Sequence, residues 1–385
     1  MKRQIYLDSA AATPLDERVF NVMRPFLFKQ FYNPSSAYLA AREVRAAYEE
    51  ARRTLAHYLG AKAGELILTA GATESSNIAI HGTLRGFSGA HIAVSAIEHQ
   101  AVLEAAKQYD HTLIMPEPTG RITPEALRAA ITDKTVLVSV GYINSEIGTL
   151  QSLRKLTAVV RQVREARRKS GNLRPLYFHT DASQAAGCAD LHAAQLGVDL
   201  LTLSASKIYG PKQVGLLYAK TGLQLQPFMH GGGQEAGVRS GTENVAGVVG
   251  FSKALSLAQA DRHGRTEKLA KLRDTFERTV LRAIPEAIVN GDLRSRAPHI
   301  SHLSFASIDA ETLLFMLDER GIMVATGAAC AANKGTASHV LVALGLAEAM
   351  VQGSVRCSFS HTLSEADVRA AAEAIIACVQ QLRSR

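Results

Sequence analysis

Cysteine is scarce in this sequence, and the few cysteines do not form the patterns of a disulfide-rich or zinc-binding protein. Four occur in 385 residues, without a CxxC pair and without zinc-ligand spacing, at Cys188, Cys330, Cys357 and Cys378. Because disulfides persist mainly in oxidising compartments, we expect a protein of the reducing cytoplasm.

Long apolar runs are also absent. No stretch approaches the roughly 20 apolar residues of a membrane-spanning helix. The first 15 residues lack the apolar core of a signal peptide, and Asp8 interrupts their short apolar part. The sequence therefore predicts a protein without a membrane segment. Its composition, 47% hydrophobic and 20% charged, is typical of a globular fold.

Acidic residues are fewer than basic ones. The chain has 35 Asp and Glu against 43 Lys and Arg, a formal net charge of +8 at pH 7. Such an excess favours an acidic partner, for example transfer RNA or an acidic protein. A solvated basic face without any partner explains the same charge equally well.

The stretch around Lys207 carries the first chemical signal. An apolar run at residues 198–203 predicts a buried strand, and Lys207 follows it together with Ser204 and Ser206. A partly desolvated lysine is a usable amine nucleophile and forms a Schiff base with an aldehyde cofactor, of which pyridoxal phosphate is the obvious candidate. The serine hydroxyls suit its phosphate. A solvated loop lysine is the alternative interpretation.

A second anion site is predicted at residues 65–80. A strand there runs into Gly71, Ala72 and Thr73, and a helix beginning with Glu74 follows. Small residues that open a helix leave backbone N–H groups and a positive dipole end free for a phosphate. A plain strand-to-helix connection with a threonine cap is equally consistent with this stretch.

Three polar residues after predicted strands complete a site for a pyridine ring. His99 follows the strand at residues 92–97 and could stack on the ring or transfer protons. Asp181 suits a protonated ring nitrogen, and Gln184 is close enough to reach a phenolic oxygen. Asp181 and Lys207 are expected at the ends of neighbouring or nearby strands. In isolation, Asp181 is equally well explained as a helix N-cap.

Three later segments present further reactive or binding residues. Residues 229–244 are glycine-rich and carry Arg239 and Thr242, which favours close approach to a ligand or a second chain. Residues 326–335 are predicted to form a loop of small residues around Cys330. The planar fork of Arg356 matches a carboxylate, although a surface charge is the alternative. The other three cysteines are expected in apolar helix or strand patterns.

The domain organisation follows from a charged, periodic segment at residues 254–284, which we predict to be one helix. It separates two regions of alternating strands and helices. We expect a large domain at residues 15–255 and a smaller one made of residues 1–14 and 256–385.

Together these segments resemble the pyridoxal-phosphate-dependent cysteine desulfurases of aminotransferase fold type I, in particular the housekeeping group that serves iron–sulfur assembly and transfer RNA thiolation. The resemblance covers nearly the whole chain. It implies an α/β fold with a mostly parallel seven-stranded sheet and a smaller α+β domain that carries the cysteine loop. The matching segments are YLDSAAATP (6–14), NPSS (33–36), LTAGATES (68–75), EHQAV (98–102), NSEIGT (144–149), HTDASQ (179–184), SKIYGPK (206–212), HGGGQE (230–235), RSGTEN (239–244), TGAAC (326–330) and VRCSF (355–359).

The resemblance implies a role for each site residue. Lys207 would hold the cofactor, His99 would stack on the ring and Cys330 would take the sulfur of L-cysteine, leaving alanine and a persulfide that passes to an acceptor protein such as an iron–sulfur scaffold or a transfer RNA thiolation relay. A role for Cys330 as a transient ligand of an iron–sulfur cluster also stays open, and no other metal is expected. Thr242 and Arg239 would act across a homodimer interface. The remaining implied contacts are Asp181, Gln184 and Ser145 to the ring, Ala72, Thr73, Ser204 and Ser206 to the phosphate, and Arg356 and Asn144 to the substrate.

Several positions depart from the family pattern. Ser145 stands where an asparagine is usual and Ser206 where a histidine is usual, which leaves cofactor affinity and rate open. Two alternatives therefore stay beside the desulfurase interpretation. One is a selenocysteine lyase or another fold-type-I enzyme, and the other is a weakly active sulfur-relay scaffold or nucleic-acid-binding homologue. Further departures are Tyr38, Gln213, Ala236, Ser360 and His361.

Overall fold

The computed structural model describes residues 4–326 and 337–384. Within these ranges the helices are α1 (Glu17–Phe28), α2 (Leu39–Leu59), α3 (Ala72–Leu84), α4 (Gln100–Ala106), α5 (Pro124–Ala130), α6 (Leu153–Lys169), α7 (Ala193–Leu196), α8 (Val245–Ala260), α9 (Arg262–Ala283), α10 (Ala310–Asp318), α11 (His339–Ala343), α12 (Glu348–Gln352) and α13 (Glu365–Arg383). The strands are β1 (Ile5–Tyr6), β2 (Leu66–Thr69), β3 (His91–Ser95), β4 (Asp110–Ile114), β5 (Thr135–Ser139), β6 (Tyr177–Asp181), β7 (Leu200–Ser204), β8 (Gly215–Ala219), β9 (Ile288–Val289), β10 (Ile300–Ser304), β11 (Ile322–Met323) and β12 (Ser354–Ser358).

The main sheet has seven strands in the order β2-β8-β7-β6-β5-β3-β4. Strand β8 runs antiparallel to both neighbours, and the pairs from β7 to β4 are parallel. The predicted α/β class with a mostly parallel seven-stranded sheet is therefore confirmed. Asp181 pairs in register with Thr202, so β6 and β7 are direct neighbours and their carboxyl ends open on the same edge.

The parallel strands are apolar because helices cover both faces of the sheet. On one face Leu55 of α2, Val160 of α6 and Phe251 of α8 belong to one buried cluster. On the other face Ile78 of α3 and Leu103 of α4 belong to a second cluster. All five residues of β7 are buried, which accounts for the apolar run before Lys207.

Two smaller sheets use the later part of the chain and its start. Strands β12, β10 and β9 form an antiparallel sheet, and β1 pairs in parallel with β11. Ile5 and Leu7 lie in a buried cluster with Phe276, Phe305 and Val355. The start of the chain thus packs with residues after 268. The domain division at residue 255 stays a prediction.

One predicted element was wrong. The segment at residues 254–284 is two helices, because the chain leaves the helical region at Asp261, with φ −115° and ψ 30°. Gly264 follows in the first turn of the second helix, where a Cβ would lie 2.7 Å from Asp261 Oδ1. In the two described ranges no helix combines the length and apolarity that a bilayer crossing requires.

Candidate active site

A cavity of about 1040 Å³ opens at the carboxyl ends of β3, β5, β6 and β7. Side chains that follow these parallel strands converge there, as expected at such a sheet edge. Most of the residues predicted from the sequence border it. They are Ala72, Thr73, His99, Asn144, Ser145, Asp181, Gln184, Ser204, Ser206, Lys207, Arg239 and Arg356.

Lys207 lies in a single 3₁₀ turn directly after β7 and is half-buried. Its Nζ donates a hydrogen bond of 2.6 Å to the carbonyl oxygen of Ala11. The turn is tight, since a Cβ on Gly210 would lie 2.8 Å from the carbonyl oxygen of Ala205. The ammonium group is therefore held at the cavity wall by backbone rather than exposed in a loop. This geometry contradicts the alternative of a solvated loop lysine.

Hydrogen-bond donors for an anion lie at one end of the cavity. The hydroxyls of Ser204 and Ser206 are 2.9 Å apart. Helix α3 begins at Ala72, two residues earlier than predicted, and its first N–H groups have no acceptor within the helix. Glu74 lies in this first turn, where its carboxylate accepts a hydrogen bond of 2.9 Å from Arg239 Nε. Arg239 thereby offsets a negative charge that would repel an anion at the helix start.

His99 and Asp181 border the same cavity. His99 caps α4, with Nδ1 accepting from the Ala101 N–H at 3.1 Å, so a neutral ring carries its proton on Nε2. Burial lowers the pKa of His99, Asp181 opposes this effect and Lys207 reinforces it. Asp181 caps no helix. Its Oδ1 accepts from the Ser183 N–H at 2.9 Å in a turn, which argues against the N-cap interpretation.

The amides of Gln184 and Asn144 have partners within the protein. Gln184 Nε2 donates to the carbonyl of Ala10 at 2.9 Å, and its Oε1 lies 3.2 Å from His299 Nε2. Asn144 Nδ2 donates to the carbonyl of Ile97 at 2.8 Å, and its Oδ1 accepts two backbone N–H bonds at 2.9 Å. Asn144 therefore stabilises the loop after β5. Its side-chain amide already forms hydrogen bonds with the backbone when a substrate enters the cavity.

Arg356 is not a surface charge, because it is only 4% exposed. One terminal nitrogen donates to Asp8 Oδ1 at 2.6 Å, and the other donates to the backbone carbonyl of Ser145 at 3.0 Å. Among the described residues, its Nε has no hydrogen-bond partner. A buried guanidinium oriented by two acceptors at a cavity wall is well suited to bind a carboxylate.

Two buried carboxyl groups at the cavity were not predicted. Glu98 Oε1 accepts the Gly141 N–H at 2.6 Å, and burial followed by repulsion from Asp181 raises the pKa of Glu98 to about 8. Glu146 accepts from Ser338 Oγ at 2.5 Å, and burial raises the pKa of Glu146 to about 7. The available signal was that both glutamates follow apolar strand segments, as Asp181 does.

The raised pKa of Glu98 predicts that the stability of the protein depends on pH, and Glu98→Gln should remove this contribution. The folded-state pKa of about 8 lies above the ordinary value of 4.5, so the folded protein keeps a proton that the unfolded chain releases. This contribution to stability is complete below pH 4.5 and is lost as the pH rises to about 8. We expect the free energy of unfolding to fall over this range less steeply in Glu98→Gln than in the wild type. Urea denaturation at constant ionic strength measures the slopes.

The matched control for this experiment is Glu104→Gln, which changes an exposed glutamate on the following helix. Its pH profile should follow that of the wild type. Identical slopes for the wild type and Glu98→Gln would show that Glu98 is ionised in the folded protein.

Two further predicted site residues are Thr242 and Cys330. Thr242 is exposed and does not border the cavity of its own chain. Cys330 lies outside the described residues. The prediction for Cys188 was wrong, because it lies half-buried in a turn, where burial raises its pKa to about 12. Cys357 in β12 and Cys378 in α13 are buried as predicted, and burial raises the pKa of both thiols.

Comparison with known proteins gives consistent matches. The family model for aminotransferase class-V matches residues 5–370. The chain is 39% identical over 391 residues to the cysteine desulfurase IscS of Dictyoglomus turgidum, covering 100% of this chain and 96% of that protein. A solved NifS-like protein matches with a TM-score of 0.90 at 30% identity, covering 98% of this chain and 100% of that one. The solved structure of SspA in complex with cysteine matches with a TM-score of 0.79 at 31% identity, covering 93% of this chain and 99% of that one.

Proposed function

This chain belongs to the aminotransferase class-V family and has the activity of a cysteine desulfurase, and from that premise we propose which of its side chains perform the reaction. The observation that carries the proposal is the cavity in which Lys207, Asp181, His99 and Arg356 meet at one sheet edge. The reaction converts L-cysteine into L-alanine, and the sulfur passes to a thiol of the protein as a persulfide.

The donor set of the cavity fits pyridoxal 5′-phosphate. Two serine hydroxyls and the free N–H groups at the start of α3 suit its phosphate, and the carboxylate of Asp181 suits a protonated ring nitrogen. Lys207 would supply the amine that holds its aldehyde carbon. When bound, this cofactor withdraws electrons from the α-carbon of an amino acid. We assign the phosphate contacts to Ala72, Thr73, Ser204 and Ser206, and the ring contacts to Asp181, His99, Gln184 and Ser145.

The protein side chains then bind substrate and handle protons. Arg356 binds the carboxylate of L-cysteine, with Asn144 beside it. Neutral His99 holds a proton on Nε2 and Lys207 Nζ is within the same cavity, so both are placed to exchange protons with the substrate. In the sulfur step a carbon–sulfur bond breaks and a sulfur–sulfur bond forms on Cys330. L-cysteine and one thiol give L-alanine and one persulfide, which balances atoms and electrons.

Cys330 is the thiol we propose to take the sulfur. Attack requires a thiolate, and burial raises the pKa of each of the other three cysteines. These thiols stay protonated near neutral pH. Cys330 is the remaining cysteine of the sequence, and it also lies in the segment that resembles the family's reactive loop.

Replacing Arg356 by lysine tests the carboxylate assignment. Lysine keeps the charge but loses the planar fork, so we expect the KM for L-cysteine to rise about tenfold or more while kcat changes less. Steady-state kinetics of alanine formation separates the two constants. The control is Arg273→Lys, a buried arginine of α9 that bonds Asp274 and the carbonyl of Ala297 away from the cavity. An unchanged KM in Arg356→Lys would contradict the assignment.

We propose that two copies of the chain form a homodimer and that Thr242 reaches the cavity of the partner. Thr242 is exposed and is not among the residues that border the cavity of its own chain, which leaves it available to a second chain. Large apolar side chains are also exposed near the α1–α2 connection, including Phe28 at 69% and Phe31 at 70%. Monomeric proteins rarely expose such a patch. Arg239 stays with Glu74 of its own chain and lies in the same segment.

Mixing two impaired variants tests the shared site. Lys207→Ala and Thr242→Ala each damage one half of a site, so a mixed dimer contains one site built from two intact halves. We expect alanine formation by the mixture to exceed the sum of the separate variants after exchange of subunits. No gain in a mixture that sedimentation shows to be dimeric would contradict the placement of Thr242.

The test of the function as a whole is incubation of the cofactor-loaded chain with L-cysteine, measuring alanine and sulfide. Selenocysteine in place of cysteine tests the lyase alternative, and failure to load cofactor would favour the scaffold alternative. We further propose that this protein is cytoplasmic and that it passes sulfur to an acceptor protein for iron–sulfur assembly or transfer RNA thiolation. Purified acceptors added in turn identify which one accepts the persulfide.

A further inference from the structure

The outer surface of α6 carries a continuous basic strip. Arg154, Arg161 and Arg168 recur every seven residues, which places them on one face of the helix. Lys155 and Lys169 lie beside them, and all five side chains are exposed. At 1.5 Å per residue, the three arginines span about 21 Å along the helix. Glu165 is the single acidic residue of this helix.

These cations have few partners within the protein. Among the described residues, Arg154 alone of the five has an acidic side chain within 4.0 Å, that of Asp190. The neighbouring helix α5 adds another exposed cation, because Arg128 donates a 2.6 Å hydrogen bond to Gln162 Oε1 on the same face. Elsewhere on α6, Arg164 forms an ion pair with Asp199, and Arg167 donates hydrogen bonds to backbone carbonyls. The strip therefore differs from the structural arginines of the same helix.

We propose that this strip binds the phosphate backbone of a nucleic-acid duplex. Phosphates are regularly spaced anions, and lysine and arginine neutralise them without reading the bases. The net charge of +8 adds a long-range attraction for the same ligand. Because the strip begins three residues after Gln151, which borders the cavity, a bound duplex would start beside the wall of the active site. The proposal does not depend on the assigned reaction.

The composition of the face favours nucleic acid over an acidic protein. Stable protein interfaces centre on buried aromatic or large apolar side chains. Between residues 153 and 169 no large apolar side chain is exposed. The exposed positions are filled by cations, Gln162, Ala166 and Glu165. Such a face suits a ligand recognised by charge alone.

A bilayer surface is also less suitable. Helices that bind bilayers insert an apolar face between the lipids. The apolar residues of α6, including Leu153, Leu156 and Val160, are buried against the sheet and belong to the main core. No apolar face of this helix remains for lipid. Its attraction to anionic lipids would be electrostatic only.

The experiment measures binding of the full chain to a fluorescein-labelled DNA duplex of about 20 base pairs over a series of salt concentrations. The variant is Arg154→Gln, Arg161→Gln and Arg168→Gln in one chain. Each phosphate contact contributes about 0.9 to the slope of log K against log salt, so the slope should fall by about 2.7. Alanine formation from L-cysteine, which uses none of these residues, checks that the variant is folded.

The matched control removes three exposed cations on α9, Lys271, Arg278 and Arg282, again by glutamine. It changes net charge equally, and we expect it to keep the wild-type slope. Equal losses in the two variants would overturn the proposal, because binding would then follow net charge rather than the strip. Absence of duplex binding at low salt would also overturn it. So would displacement of the duplex by polyglutamate or by phosphatidylserine vesicles at equal charge concentration.

Discussion

Lys207→Ala is expected to form L-alanine from L-cysteine at least about a thousandfold more slowly than the wild-type chain. The variant loses both the amine that holds the cofactor and a proton-exchanging group at the cavity wall. The physical reason is the position of Nζ, which is held against the carbonyl of Ala11 within the cavity. The rate of alanine formation and the mass of the borohydride-reduced peptides check this result.

Lys212 provides the informative comparison, because it is the second lysine that borders the cavity. Its side chain is solvent-exposed and its Nζ donates to the carbonyl of Thr13 at 3.3 Å. Lys212→Ala should therefore keep the covalently trapped cofactor on Lys207. Trapping on Lys212 in the Lys207→Ala chain at the wild-type yield would contradict the assignment of Lys207.

The sequence predicted those site residues that follow parallel strands. Lys207, Asp181 and His99 each come directly after an apolar run, and parallel strands bring their carboxyl ends to one edge. The apolar run before Lys207 was predicted to be a buried strand, and all five residues of β7 are buried. The prediction of neighbouring strands for Asp181 and Lys207 was accordingly confirmed by the register of β6 and β7.

Other features depend on contacts between distant segments and were not predictable from local pattern. The ion pair of Arg356 and Asp8 joins residues 348 positions apart. The raised pKa of Glu98 arises from its burial beside Asp181, and a lone glutamate in a sequence carries no sign of its burial.

Cys330→Ala is the second variant with a large expected effect. We expect it to lose the protein-bound persulfide and to form alanine and sulfide at least about a hundredfold more slowly, the lower end of what one reacting group contributes. Cofactor loading should persist, because the donors assigned to the phosphate and the ring all lie between residues 72 and 207, far from Cys330 in the sequence. Labelling with sulfur-35 cysteine and non-reducing electrophoresis measures the persulfide.

The control for this variant is Cys188→Ala, which removes a half-buried thiol close to the site residue Gln184. Cys188 Sγ lies 3.6 Å from the carbonyl of Gln184, and burial raises its pKa to about 12, so at neutral pH it stays a thiol and should not accept sulfur. The two variants separate binding from transfer. If Cys330→Ala kept the label and Cys188→Ala lost it, the sulfur would travel through the buried turn after β6, and Lys207 would keep its assigned role with a different acceptor thiol.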